Sequence, residues 1–196
     1  HGVYAYMKHF ALNDQEGNRN CMAATWSNEQ AIREIYLKPF EMSVKDADCH
    51  AVMSSFNYIG NRWAGGCSEL LQNVLRGEWG FLGFVETDYF GVYGYMTADQ
   101  AVRNGGDLML CTTGNDYNNV TVLTNSSKQA MRTSAKNILY TVVNSRAYEA
   151  ENLNPGMAKW KVIMIGADVV VALLIVGLEY TAIKNYKKRK EEEEEV

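Results

Sequence analysis

The chain has 196 residues, 47% of them apolar, which is enough for one sizeable hydrophobic core, and its net charge of -4 gives no general electrostatic attraction for nucleic acid. Its mean hydropathy of -0.27 averages two unlike parts, a mixed segment to about Asn154 and a very apolar one from Val162 to Ile183. Cys21, Cys49, Cys67 and Cys111 lie far apart with no C-x-x-C pair, and His1, His9 and His50 lack zinc-ligand spacing, so the cysteines read as free or structural thiols and no metal cofactor is expected.

Residue 1 is His and no basic leader precedes an apolar run, so the natural start is expected upstream. Val3 to Phe10 is an apolar, aromatic run of strand length, followed by the loop residues Asn13, Asp14, Gly17 and Asn18. Ser27 with Gln30 three residues on forms a capping-box pattern. It predicts a helix from Asn28 towards Asp46, bent or broken at Pro39. Val52 to Phe56 is a second strand, Asn57 to Gly66 a loop, and Ser68 to Gly77 a helix by its apolar spacing. Phe81 to Thr87 is a third strand. Thr97 to Asn104 is a short helix closed by Gly105 and Gly106, Leu108 to Cys111 a fourth strand, and Ser126 to Asn144 a longer amphipathic helix.

Four strand-and-helix units with continuously apolar strands predict an α/β fold with a parallel sheet covered by helices, either an open doubly wound sheet or a (β/α)8 barrel. A full barrel takes roughly 250 residues. About 155 precede the apolar tail, and the four units they hold would be about half of one.

Asp88 closes the apolar strand FLGFVETD, where barrel enzymes place reactive groups, although the same position suits an Asp that starts a turn or caps a helix. Glu86 shares its strand parity and is the competing carboxylate. Lys8, His9 and the loop through Arg19 gather forked and charged hydrogen-bonding groups, with Phe56 and Tyr89 as aromatic neighbours. That mixture suits a polyhydroxylated ligand.

Taken together, KHFALNDQEGNR (8–19), AIREIYLKPFE (31–41), VMSSFN (52–57), LRGEWGFLGFVETDY (75–89) and AVRNGGDLML (101–110) resemble the family 3 glycoside hydrolases, in the family's order and across most of residues 4 to 145. The resemblance selects a barrel over an open sheet and implies the second half of a (β/α)8 TIM-like barrel. It also implies that Asp88 is the nucleophile, and that Lys8, His9 and Arg19 contact sugar hydroxyls. Tyr89 stands where the family has Trp, and Phe56 where it has Tyr, which keeps the ring and drops a hydroxyl. Glu16, Glu41 and Glu78 fall on positions read as structural. The implied chemistry is double displacement through a covalent glycosyl-enzyme, which needs a second carboxyl. In glucosidase-type members that group comes from a separate α/β domain, and no segment here resembles it. The loop after Lys8 lacks the pattern of the N-acetylglucosaminidase branch, which favours a glucoside or xyloside.

Val162 to Ile183 would be about 33 Å long as a helix, enough to cross a bilayer. Asp168 and Glu179 oppose insertion by up to about 3 kcal/mol each at a helix centre, but both are off-centre, and Trp160 and Tyr180 are interface-like. The basic residues from Lys184 to Lys190 outnumber Lys159 and Lys161, which places the C-terminus in the cytoplasm and the enzyme part outside. Asp168 and Glu179 lie three helical turns apart, so they share one face, expected to meet another membrane helix.

The expected organisation is a partial catalytic domain at 1–148, a linker at 149–158, a transmembrane helix at 159–184 and a charged cytoplasmic tail at 185–196, of which the Glu run at 191–195 is expected to be a solvated, disordered end. The expected activity is that of a retaining exo-acting β-glucosidase at the cell membrane, acting on a β-glucoside or related oligosaccharide and completed by N-terminal domains of the same protein. The competing reading is a catalytically incomplete, membrane-anchored sugar-binding or assembly module derived from such an enzyme.

Overall fold

The computed structural model describes residues 3–90, 93–111, 118–149 and 156–194. Two compact units are present, His1–Glu149 and Ala150–Val196. Most of the expected linker lies outside the described residues.

The first unit is built on a parallel sheet of three strands in the order β1 (Tyr6–Phe10), β3 (Ala51–Ser54), β6 (Phe84–Glu86). Ala51 pairs with both Tyr6 and Phe84, and Val52 with both Met7 and Val85. Phe10, Val52 and Val85 are buried, as apolar strands covered on both faces must be. The fourth expected strand, Leu108 to Cys111, is reduced to a parallel bridge between Glu86 and Leu108. It still tracks β6, because Thr87 N donates to Leu108 O at 2.9 Å and Phe90 N donates to Leu110 O at 2.6 Å.

A second small sheet joins β2 (Ala24–Thr25), β4 (Tyr58–Ile59) and β5 (Arg62–Trp63), with β2 and β4 parallel and β4 and β5 antiparallel. The expected loop from Asn57 to Gly66 therefore contains a tight hairpin. Gly60 takes φ of +60° in its turn, which costs little without a Cβ.

The helix expected from Asn28 to Asp46 is three segments: α1 (Glu29–Ala31), a π-helix (Ile32–Tyr36) and α2 (Lys38–Lys45). Asn28, not Ser27, is the N-cap, its side chain accepting from Ala31 N at 2.8 Å. The break falls at Leu37. Pro39 lies in the first turn of α2, where its missing N–H has no helical partner to lose. A second π-helix (Glu69–Glu78) replaces the helix expected from Ser68, and buries Leu70, Leu71 and Leu75. Thr97 caps α3 (Ala98–Arg103), and Thr124 with Ser127 forms a capping box at α4 (Asn125–Val143).

One buried charge pair ties these layers together. Arg76 of the second π-helix donates to Asp107 Oδ2 at 2.6 Å and to Gly83 O at 2.8 Å. Asp107 also accepts from Val85 N at 2.8 Å and from Asn137 Nδ2 of α4 at 3.0 Å. Burial pushes the Asp107 carboxyl up and the Arg76 guanidinium down, each against the pull of its partner.

The second unit contains α5 (Lys159–Glu194), 36 residues long and about 54 Å by helical rise. Its apolar side chains, Ile163, Leu173 and Leu178 among them, are exposed. Among the described residues it is the one helix long and apolar enough to cross a membrane. It continues past Lys184 to Glu194, so the Glu run expected as disordered is helical as far as Glu194.

Candidate active site

Asp88 lies two residues beyond β6, at the C-terminal edge of the parallel sheet, and its backbone N–H donates to Ser54 O of β3 at 3.2 Å. The residue is 8% exposed. A carboxylate this covered needs partners, and it has them. Oδ2 lies 3.2 Å from His9 Nε2 and 3.2 Å from Arg19 Nη1. Oδ1 accepts the backbone N–H of Tyr89 at 2.8 Å.

His9 comes from the end of β1, so neighbouring strands bring it to the end of β6. Burial lowers its pKa. Asp88 pulls it back up, while Lys8 and Arg19 press it down further. Arg19 comes from the loop after β1 and divides its guanidinium between Asp88 and Glu16, the latter at 3.0 Å. Its Cζ sits 4.8 Å above the centre of the Phe56 ring.

The structure therefore brings together Asp88, His9, Arg19 and Phe56. Phe56 is 5% exposed, with Arg19 over its face, so the ring is covered rather than presented to a ligand. Lys8 is exposed and lines a groove of about 750 Å³ with Pro39, Phe40 and Ser43; none of the four gathered residues lines that groove. Tyr89 is 37% exposed and reaches Asp88 through its amide.

The competing carboxylate, Glu86, is engaged elsewhere. The Tyr6 hydroxyl bonds to it, and burial and that carboxylate push the Tyr6 pKa up to about 12. Glu41 pairs with Lys38 and Lys45, and Glu78 with Arg33, on the outer faces of the helices.

Sequence reasoning missed the tyrosines beside the site. Tyr93 meets the Phe56 ring edge-on, with centroids 5.4 Å apart, and accepts from Asn20 Nδ2 at 2.8 Å. Tyr95 donates to Phe56 O at 3.0 Å. The only signal was the spacing of tyrosines in YGYM after the nucleophile candidate. No cluster of metal-ligating side chains occurs among the described residues. A buried carboxylate between a cation and an imidazole can attack an electrophilic carbon, provided the leaving group receives a proton from elsewhere.

A family model described as the glycosyl hydrolase family 3 N terminal domain matches residues 1–139. Among curated proteins, β-glucosidase B of Emericella nidulans is 44% identical over 107 residues, covering 55% of this chain and 12% of that protein. A β-glucosidase of Rhizobium radiobacter is 42% identical over 107 residues, covering 55% of this chain and 13% of that one. Of solved structures, β-glucosidase 3B from Thermotoga neapolitana in complex with glucose superposes with a TM-score of 0.63 at 30% identity, covering 77% of this chain and 22% of that one. The chain thus spans a small fraction of the length of the relatives it matches. With residues 1–139 of its 196 matched by the family model, the chain belongs to glycosyl hydrolase family 3.

Proposed function

We propose that this chain is part of a retaining, exo-acting β-glucosidase, that Asp88 is its nucleophile, and that residues 1–148 form half of its (β/α)8 catalytic barrel. The observation that carries this reading is the buried Asp88 carboxylate at the C-terminal sheet edge, held on one oxygen by His9 and Arg19. Arg19 tempers the carboxylate's charge before substrate arrives. In the first step Asp88 bonds to the anomeric carbon, the bond to the departing oxygen breaks, and a second carboxyl gives that oxygen its proton. Water then takes the sugar off Asp88, giving up its proton to the same second carboxyl. That carboxyl belongs to a segment of the protein outside these residues, consistent with the 12% of β-glucosidase B that this chain spans. His9, Arg19 and Tyr89 are the sugar-contacting groups of this reading, whereas Lys8, which lines the separate groove with Pro39, Phe40 and Ser43, is not gathered with them.

A 2-deoxy-2-fluoro β-glucoside tests it on the longer protein, because the fluorine slows the second step and leaves the sugar on the nucleophile. Mass spectrometry should find the label on Asp88. Absence of a label there overturns the enzyme reading and leaves a sugar-binding or assembly module.

The membrane reading assigns residues 159–184 to a single span, 149–158 to the linker and 185–196 to a cytoplasmic tail, with the sugar-binding part outside. Its support is the length and apolar surface of α5 and the basic run after Ile183. Alkaline carbonate should leave the chain in membranes, and extraction into the soluble fraction would refute the span.

A further inference from the structure

The contacts around Arg19 extend beyond Asp88. Its guanidinium is offered two carboxylates, Asp88 at 3.2 Å in a covered site and Glu16 at 3.0 Å on a side chain that is 81% exposed. A long, flexible arginine would drift towards the better-hydrated partner unless something held it over the buried one. The Phe56 ring lies 4.8 Å beneath the guanidinium, within cation–π range. Phe56 is in turn fixed from two sides. The Tyr93 ring meets it edge-on with planes 86° apart, and Tyr95 donates to its carbonyl. Tyr93 and Tyr95 stack on each other with centroids 6.3 Å apart. The Tyr93 hydroxyl also accepts from Asn20, the residue next to Arg19, so one tyrosine fastens both the ring and the loop that carries the cation.

We propose that Phe56 is a positioning residue whose ring, backed by Tyr93, holds the Arg19 guanidinium against Oδ2 of Asp88 and so fixes the orientation of that carboxylate. This rests on the assignment of Asp88 as nucleophile for its catalytic consequence, though not for its geometry. Phe56 itself touches no substrate, since Arg19 and Tyr93 cover it.

The test uses His9, which faces Asp88, Arg19, Lys8 and Glu16 and feels Arg19 as a neighbouring positive charge. In the full 196-residue chain, the His9 imidazole is titrated by NMR in the native protein and in Phe56→Leu, Phe56→Tyr and Tyr93→Leu. With Phe56→Leu the guanidinium leaves, the repulsion falls, and the His9 midpoint moves up towards the ordinary histidine value. Phe56→Tyr keeps the ring and should titrate as the native chain does. Tyr93→Leu should move the midpoint in the same direction by less, and it serves if Phe56→Leu does not fold. An unmoved midpoint in both leucine variants overturns the proposal. So does a Phe56→Tyr midpoint displaced as far as that of Phe56→Leu.

In the longer protein, Phe56→Leu should slow labelling of Asp88 by roughly tenfold or more, as a displaced site group does. If the native protein takes no label while the titrations shift as expected, the nucleophile assignment fails and the positioning role stands. If it labels and the titrations do not move, the reverse holds.

Discussion

Arg76 and Asp107 form a 2.6 Å charge pair in which the carboxylate side chain is only 2% exposed. The pair also closes hydrogen bonds to Gly83, Val85 and Asn137, so it joins the second π-helix, β6 and α4 around the base of the strand that leads to Asp88. Removing one partner leaves an uncompensated buried charge, a more damaging change than exchanging both for apolar groups. Asp107→Ala should lower the unfolding free energy by about 3 kcal/mol or more, read from urea denaturation of the first unit. A loss under about 1 kcal/mol would show that the pair is a bystander.

The His9 titration gives a second expectation. Burial makes protonation harder in the folded chain than in the unfolded one, where histidine titrates near about 6.5. The folded value is depressed, so the unfolded chain binds more protons between the two values. The stabilisation is therefore fully present above about 6.5 and is lost as pH falls through the folded value. Asp88 supplies the main opposing pull. Asp88→Asn should lower the His9 midpoint still further in an NMR titration, and a rise would contradict the pairing at 3.2 Å.

The cap of the first helix separates two neighbouring residues. Asn28 accepts from Ala31 N, so Asn28→Ala should cost about 1 kcal/mol, whereas Ser27→Ala should cost a few tenths at most. Equal losses from the two substitutions would restore Ser27 as the cap.

That pair also shows where local pattern stops being decisive. Ser27 and Asn28 are both good caps, and only the path of the entering chain chooses between them. The strands were legible because Phe10, Val52 and Val85 sit in continuous apolar runs. The hairpin at Tyr58–Trp63 was not, since two-residue strands carry no period and the Gly60-Asn61 turn lies inside a polar stretch. The two π-helices were read as ordinary helices because i→i+5 bonding leaves the coarse apolar spacing intact. At the site, Asp88, His9 and Arg19 followed from motif and strand order. Phe56 falls in the same neighbourhood, but the cover that Arg19 gives its ring was not legible, because a sequence does not reveal which face of a ring another side chain covers. Tyr93 and Asn20 meet only through folding, 73 residues apart.

Gly83 makes the dependence of the site on its supporting strand testable. It stands at the entry to β6, and a Cβ there would collide with the carbonyl of His50, a backbone group that cannot rotate away. That carbonyl accepts from Phe84 N at 3.2 Å, the first rung of the β3–β6 pairing. Gly83→Ala must therefore push the two strands apart where they begin, and overpacking of this kind costs typically 1–3 kcal/mol. Because Asp88 N is tied to Ser54 O at the far end of the same pair, the displacement should reach the carboxylate. The expected result is a lower urea midpoint together with a shifted His9 titration in the same variant. A loss of stability with the His9 midpoint unchanged would mean that the upper end of the sheet keeps its geometry independently of its base.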